Sequence, residues 1–137
     1  VQTCALPISV TPATGKIQVR RVSCAHDCGL VVNPNALRNQ IESCIVQTLS
    51  RALFEEVKFD ASKVTSVDWT SYPILTFPDA PEIEVALLNR PDQPLMGAGE
   101  AAAAPVAAAL TNAVYDATGV LLKTVPFIAE RVKAALA

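Results

Sequence analysis

The chain has 137 residues, a net charge of −2 and 51% hydrophobic residues, so we expect one domain with its own core. This composition excludes a disordered chain, and the lack of excess positive charge argues against a nucleic-acid partner. The longest apolar run, residues 101–110, is shorter than the roughly 20 residues that a membrane span needs. We therefore expect no nucleic-acid partner and no membrane span, while the compartment stays unknown.

The first residues have an unusual sequence. Residues 1–8 read VQTCALPI, which matches the translation of a common sequencing-library adapter in one frame. We predict that residues 1–9 are adapter-derived or otherwise non-native. Residues 10–137 would then form a fragment of a longer subunit. The alternative is that residues 1–9 are a native N-terminal strand.

The next segment is predicted to contain β-structure followed by a helix. After the turn signal Thr14-Gly15, apolar residues alternate at positions 17 and 19 and again from 22 to 28. The alternation slips at Arg20-Arg21, which predicts a bulge. From residue 37 to residue 53 the apolar positions recur every three to four residues, which predicts an amphipathic helix of about five turns.

The second half is also mixed. Residues 64–69, 72–77 and 121–125 are predicted to be short strands, and the alternation at 83, 85 and 87 predicts another. A helix is expected from about Pro105 to Gly119, and a terminal helix covers residues 131–136. The expected fold class is α+β, with short strands in a mixed sheet packed against two long helices.

A glycine-rich tetrapeptide, Gly97-Ala98-Gly99-Glu100, comes just before the second predicted helix. Glycine has no Cβ, so its backbone can approach a bulky ligand closely. A carboxylate at such a place is a candidate general base, which makes Glu100 the candidate catalytic residue.

One face of the first predicted helix carries small and amide-bearing side chains. They are three, four or seven residues apart and so share that face. Such a stripe suits a ligand rich in heteroatoms, and the alternative is an ordinary solvated helix face. Its members are Gln40, Ser43, Cys44, Gln47 and Thr48.

Three further residues share a face of the strand predicted over residues 22–28. Cys24, His26 and Cys28 are two residues apart, and with Cys44 they could form a soft-metal site. The favoured alternative is that the cysteines are small buried apolar residues and that His26 belongs to the core. We therefore predict no residue that ligates a metal ion directly.

Eight segments together resemble one enzyme family. They are AHDCG (25–29), VVNP (31–34), QIE (40–42), QTLSRAL (47–53), YPI (72–74), PEIEV (81–85), GAGE (97–100) and NAVYDATG (112–119). In this order they resemble the C-terminal part of the molybdopterin-binding large subunit of the xanthine dehydrogenase and aldehyde oxidase family. The branch most similar in detail contains nicotinate dehydrogenase and isoquinoline 1-oxidoreductase.

The resemblance implies a reaction. Such an enzyme oxidises an aldehyde or an N-heterocyclic aromatic carbon, with water as the source of oxygen. Glu100 matches the family's glutamate, which acts as general base on a molybdenum-bound hydroxide. The resemblance also implies a set of residues near the cofactor, namely Gln40, Ser43, Cys44, Gly97, Ala98 and Gly99.

The resemblance also implies what else is needed. The molybdenum–molybdopterin cofactor, in its cytosine dinucleotide form, would be shared with an upstream part of the same subunit. Electrons would leave through iron–sulfur clusters on a partner subunit, and the isolated chain would be inactive. The family usually has glycine where this chain has Ser43-Cys44, and a Cβ there could clash with the cofactor. The alternative is therefore a non-catalytic binding or assembly module of the same fold.

Overall fold

The computed structural model describes residues 2–137, with side chains from residue 4 onward. It has the expected α+β fold, with a mixed sheet and two long helices. The strands are β1 (Gln2–Ala5), β2 (Ile8–Thr11), β3 (Lys16–Val19), β4 (Arg21–Asp27) and β5 (Glu82–Leu88). The helices are α1 (Pro34–Leu53), a short 3-10 turn (Phe77–Asp79), α2 (Ala103–Thr118) and α3 (Ala129–Leu136).

The strands of the described chain form two small sheets. In the first, β4 is central, with β1 antiparallel on one side and β5 parallel on the other. A parallel pair needs a crossover connection, and α1 lies in the connection from β4 to β5. The second sheet is the β2–β3 hairpin, which turns at Gly15 with φ of +76°.

The slip at Arg20-Arg21 is a change of sheet, so the predicted bulge is wrong. Strand β3 pairs with β2, whereas β4 pairs with β1 and β5. Between them, the Arg20 amide donates to the Pro7 carbonyl at 3.0 Å, and the Arg20 carbonyl accepts from the Glu82 amide at 3.1 Å. A change of sheet breaks the two-residue period just as an inserted residue does.

Most of the segment predicted to be non-native is part of the sheets. Residue 1 lies outside the described residues, Gln2–Ala5 pairs with β4, and β2 begins at Ile8. An open sheet edge can accept a foreign strand as well as a native one. The origin of residues 1–9 therefore stays a prediction.

Helix α1 is the centre of the core. It begins at Pro34, and the Asn33 side chain caps it by accepting from the Ala36 amide at 3.0 Å. Its apolar face packs against α2 and β5. The side chains with no exposed surface include Val22 in β4; Ile41, Ile45 and Leu49 in α1; Val106, Leu110 and Val114 in α2; and Val132 in α3.

Three predicted strands are wrong. In residues 64–69 only Val64 forms a bridge, to Phe59, and residues 72–77 form no ladder. Here the Asp60 and Asp68 side chains bind nearby backbone amides, which competes with strand pairing. Residues 121–125 are irregular, and their sequence has no alternation that would separate two faces.

Candidate functional site

The two predicted site segments meet in the structure. We call residues 97–100 the glycine loop. The Gln40 side-chain amide donates to the Gly99 carbonyl, and the Cys44 thiol donates to the same oxygen at 3.1 Å. Gln40 Nε2 also lies 3.6 Å from Cys44 Sγ. Two successive turns of α1 thus hold the residue that precedes Glu100.

Both glycines of the loop leave their backbone uncovered. A Cβ built on Gly97 or Gly99 would meet no protein atom within 4 Å. Neither residue has a positive φ. Packing and backbone conformation within this chain therefore do not require glycine at these positions. The open space allows a large group to lie directly against the loop, which fits a molybdopterin cofactor.

The candidate base is accessible. Glu100 is exposed, and its carbonyl accepts from the Ala103 amide at 2.9 Å in the turn that leads into α2. Ala98 is half-buried. The carboxylate is therefore attached to a defined backbone while its side chain stays on the surface of the chain.

The predicted polar stripe on α1 divides into two. Gln40, Ser43 and Gln47 are exposed, whereas Cys44 and Thr48 are buried. The Ser43 hydroxyl accepts from Gln47 Nε2 at 3.0 Å. Only the exposed members can contact a ligand that approaches from outside, and the Cys44 side chain is directed at the glycine loop instead.

The end of β4 also holds the segment that leads to the glycine loop. The Cys28 carbonyl accepts from the Met96 amide at 3.0 Å, and the Gly29 carbonyl accepts from the Arg90 amide at 2.9 Å. Gly29 has φ of +82°, and a Cβ there would lie 2.4 Å from the Pro94 carbonyl oxygen. Sequence reasoning missed this role, although Asp27-Cys28-Gly29 is a recognisable turn signal.

Asp27 stabilises the same turn. Its carboxylate accepts from the Gly29 amide at 3.1 Å and lies 3.4 Å from the Arg90 guanidinium. The Gly29 hydrogen bond, with a smaller contribution from Arg90, lowers the pKa of Asp27 below its usual range. Asp27 is therefore ionised at neutral pH.

A groove of about 510 Å³ lies beside the glycine loop. It is lined by His26, Asp27, Met96, Gly97, Ala101, Ala104 and Pro105. His26 is buried, as predicted for a core histidine, and burial lowers its pKa below the usual value. Near neutral pH the imidazole is therefore mainly uncharged.

The alternative metal site on β4 has no support. Among residues 2–137, no group of three or more His, Cys, Asp or Glu side chains could hold a metal ion. The Cys4 thiol instead donates to the Cys24 sulfur across the β1–β4 pair, and this hydrogen bond raises the pKa of Cys4.

Comparison with known proteins agrees with this fold. A sequence profile described as a molybdopterin cofactor-binding domain matches residues 1–81. One component of the nicotinate dehydrogenase of Pseudomonas putida is 48% identical over 129 residues, which cover 94% of this chain and 11% of that protein. The beta component of the isoquinoline 1-oxidoreductase of Brevundimonas diminuta is 34% identical over 110 residues, or 80% of this chain and 14% of that protein.

The solved structures give the same result. The structure of quinoline 2-oxidoreductase from Pseudomonas putida 86 superimposes with a TM-score of 0.87 at 29% identity. The match covers 96% of this chain and 18% of that one. The chain therefore belongs to the molybdopterin-binding subunits of the xanthine dehydrogenase and aldehyde oxidoreductase family. It spans less than a fifth of the relatives named here, and no helix among residues 2–137 is long and apolar enough to cross a membrane.

Proposed function

We propose that this chain forms one wall of the active site of a molybdenum hydroxylase that oxidises an N-heterocyclic aromatic carbon or an aldehyde. The observation that carries the proposal is the contact between α1 and the glycine loop. Gln40 binds the Gly99 carbonyl, so two segments distant in sequence form one surface ending in Glu100. Membership of a family of molybdopterin-binding subunits supports a molybdopterin cofactor as the ligand of that surface.

We identify the residues that face the cofactor by their exposure to solvent on this chain. Gln40, Ser43, Gly97 and Gly99 reach the outer surface and would hold the cofactor, and the glycines would allow its close approach. When bound, the cofactor supplies two-electron redox chemistry with water as the oxygen source. Ala98 is half-buried, and it would contact the cofactor through its backbone.

Glu100 is the proposed general base. Its exposed carboxylate can accept a proton from the reacting group and release it to solvent after the product has left. An efficient base also needs a site from which water is excluded during the reaction. Because Glu100 is exposed on this chain, the residues that enclose it would come from the remainder of the subunit.

Cys44 is proposed as a positioning residue. Its thiol is 8% exposed and donates to the Gly99 carbonyl, so it fixes the backbone next to Glu100. The side chain that replaces the usual glycine is thus directed inward and does not obstruct an approaching cofactor. Of the Ser43-Cys44 pair, only Ser43 would contact it. This argues against the alternative of a non-catalytic module.

The names of the relatives support a more specific proposal. The proteins compared above are named for nicotinate, isoquinoline and quinoline, which are all N-heterocycles. We therefore favour an N-heteroaromatic substrate over an aldehyde. We further propose the cytosine dinucleotide form of the cofactor and an iron–sulfur partner subunit that carries the electrons away.

The test is Glu100→Gln in the complete subunit. The amide keeps the size of the side chain and removes the base, so turnover should fall by about 100-fold or more. Molybdenum content and the molybdopterin recovered after denaturation should stay at the wild-type level. Cytidine monophosphate released by acid hydrolysis reports the dinucleotide form.

The matched control is Glu130→Gln, which changes another exposed glutamate, in the first turn of α3. It should leave both turnover and cofactor content unchanged. Near-normal turnover of Glu100→Gln would refute the assignment of the base. Loss of cofactor from Glu100→Gln would instead indicate a binding role.

A further inference from the structure

One irregular stretch of the chain holds large apolar side chains in solvent. We call residues 57–77 the apolar segment. Phe59 and Trp69 are each 75% exposed, Val67 is 76% exposed and Phe77 is 95% exposed. Aromatic side chains gain most from burial, and a concentration of exposed apolar groups marks an interaction surface.

The polar groups of the apolar segment bind one another. Asp60 Oδ1 accepts from the Ser62 amide at 2.7 Å, and Asp68 Oδ1 accepts from the Ser71 amide at 2.8 Å. Hydrogen bonds from Ser62 and Ser71 lower the pKa of Asp60 and Asp68 respectively, so both are ionised at neutral pH. The apolar side chains therefore project from a backbone whose turns are already formed.

The apolar segment is also fixed to the core. The Leu75 amide donates to the buried Ser50 hydroxyl at 2.9 Å, and the Tyr72 hydroxyl donates to Glu55 at 2.8 Å. Phe59 bridges to Val64, so their side chains share one side of the pair. A surface that is ordered before binding loses little conformational entropy when it is covered.

We propose that the apolar segment is the docking surface for the remainder of the same large-subunit polypeptide. The proposal rests on the proposed function. The match to the nicotinate dehydrogenase component covers 94% of this chain but only 11% of that protein, so most of such a protein lies elsewhere in the same polypeptide. A linked domain is present at high effective concentration and can form a permanent contact.

The charges of the apolar segment favour such a permanent contact. Lys58 and Lys63 balance Asp60 and Asp68, so the segment has no net charge. Charge complementarity chiefly accelerates association and selects transient partners, whereas permanent interfaces are more hydrophobic. Contact through the exposed aromatic side chains therefore fits the subunit's own remainder better than a protein that binds and dissociates.

The test uses Trp69, the single tryptophan of the chain. The 137-residue chain is labelled with 5-fluorotryptophan, and the unlabelled remainder of the subunit, made from the complete gene, is added. The single ¹⁹F resonance should lose its H₂O/D₂O solvent isotope shift in a saturable way. Phe59→Ser combined with Phe77→Ser should weaken this binding by about tenfold or more.

The matched control is Leu121→Ser combined with Val125→Ser, two apolar residues outside the segment that are 52% and 58% exposed. This control should bind as the parent chain does, and circular dichroism should show that both variants stay folded. An unchanged Trp69 signal on addition of the remainder would refute the proposal. The proposal would also be refuted if the Trp69 signal changed on addition of the iron–sulfur subunit alone. A change with the concentration of the labelled chain, which would indicate self-association, would refute it as well.

The outcome is independent of the reaction. If the remainder of the subunit covers Trp69 but the assembled subunit binds no cofactor, only the proposed function fails. If the enzyme is active while Trp69 stays exposed to solvent, only the docking surface fails.

Discussion

The glycine loop and the apolar segment are both irregular, but different parts of the chain hold them in place. The glycine loop depends on groups outside it, since Gln40 and Cys44 bind the Gly99 carbonyl and Cys28 binds the residue before Gly97. The apolar segment makes most of its hydrogen bonds within itself, chiefly to Asp60 and Asp68.

This difference predicts how the structure of each region responds to amino-acid substitutions. The glycine loop is held by side chains and carbonyl groups of other elements, so it should shift when those elements shift. A loop that binds itself keeps its shape until its own side chains change. Variants that affect one region and spare the other therefore test the comparison.

The largest effect is expected for Gly29→Ala. Alanine at φ of +82° is strained, and its Cβ would lie 2.4 Å from the Pro94 carbonyl oxygen. We expect a loss of about 3 kcal/mol in the free energy of unfolding, measured in urea, because the strain and the overlap add. Hydrogen exchange should increase at residues 94–100 and stay unchanged in the apolar segment.

Gly119→Ala separates the cost of backbone strain from the cost of the steric overlap. Gly119 has φ of +72°, but a Cβ there would meet nothing within 4 Å. It should cost only about 1 kcal/mol, the backbone strain alone. Equal losses for the two variants would contradict the role given to the Pro94 contact.

A smaller and more local effect is expected for Gln40→Ala combined with Cys44→Ala. The Gly99 carbonyl loses both donors, and we expect a cost of about 1–2 kcal/mol. Hydrogen exchange at residues 96–103 should rise by roughly tenfold, again without change in the apolar segment.

The conservative variant tests positioning. Cys44→Ser keeps a donor and should restore much of the exchange protection, whereas Ser43→Ala should leave exchange at residues 96–103 of the isolated chain unchanged. In the complete enzyme, Cys44→Ala should lower kcat more than it raises KM, with recovery in Cys44→Ser. Equal exchange in the alanine and serine variants would show that the thiol only fills space.

The smallest effect is expected when the pH is lowered, and it concerns the apolar segment. The pKa values of Asp60 and Asp68 are lowered by folding, so their stabilisation is complete above the unfolded pKa of about 3.9 and is lost as the pH falls through the folded pKa. The apolar segment should therefore loosen below about pH 4. The ¹⁹F line width of labelled Trp69, followed from pH 6 to pH 3, measures this.

Asp60→Asn combined with Asp68→Asn provides the control. It should loosen the segment already at pH 6 and abolish its response to acid. The glycine loop should keep its own acid response, because the pKa of Asp27 is lowered in the same direction. An unaltered titration in the double variant would show that other groups hold the segment.

Much of the fold could be predicted from local periodicity. Helix α1 follows from apolar spacing between residues 37 and 53, and β5 from the alternation at 83, 85 and 87. Helices α2 and α3 also lie where the sequence predicts them. The predicted strands at 64–69 and 72–77 are wrong because side-chain hydrogen bonds replaced a ladder that the apolar residues suggested.

The candidate site was predictable only in part. Gln40 and Gly99 could be named from their resemblance to a family pattern, and the structure brings them together. The inward direction of Cys44 and the contact from Cys28 to Met96 are long-range, so no local spacing indicates them. The catalytic role of Glu100 stays a prediction until the substitution is made.

Helix α1 sets the distance between the two regions. Gln40 holds the glycine loop and Ser50 holds the apolar segment, so ten residues of continuous helix separate them, or about 15 Å of axial rise. An insertion or deletion of one residue between them would rotate one attachment by about 100° relative to the other. Substitutions along this stretch can be absorbed by side-chain adjustment, but a change in its length cannot, so α1 should tolerate sequence variation only at constant length.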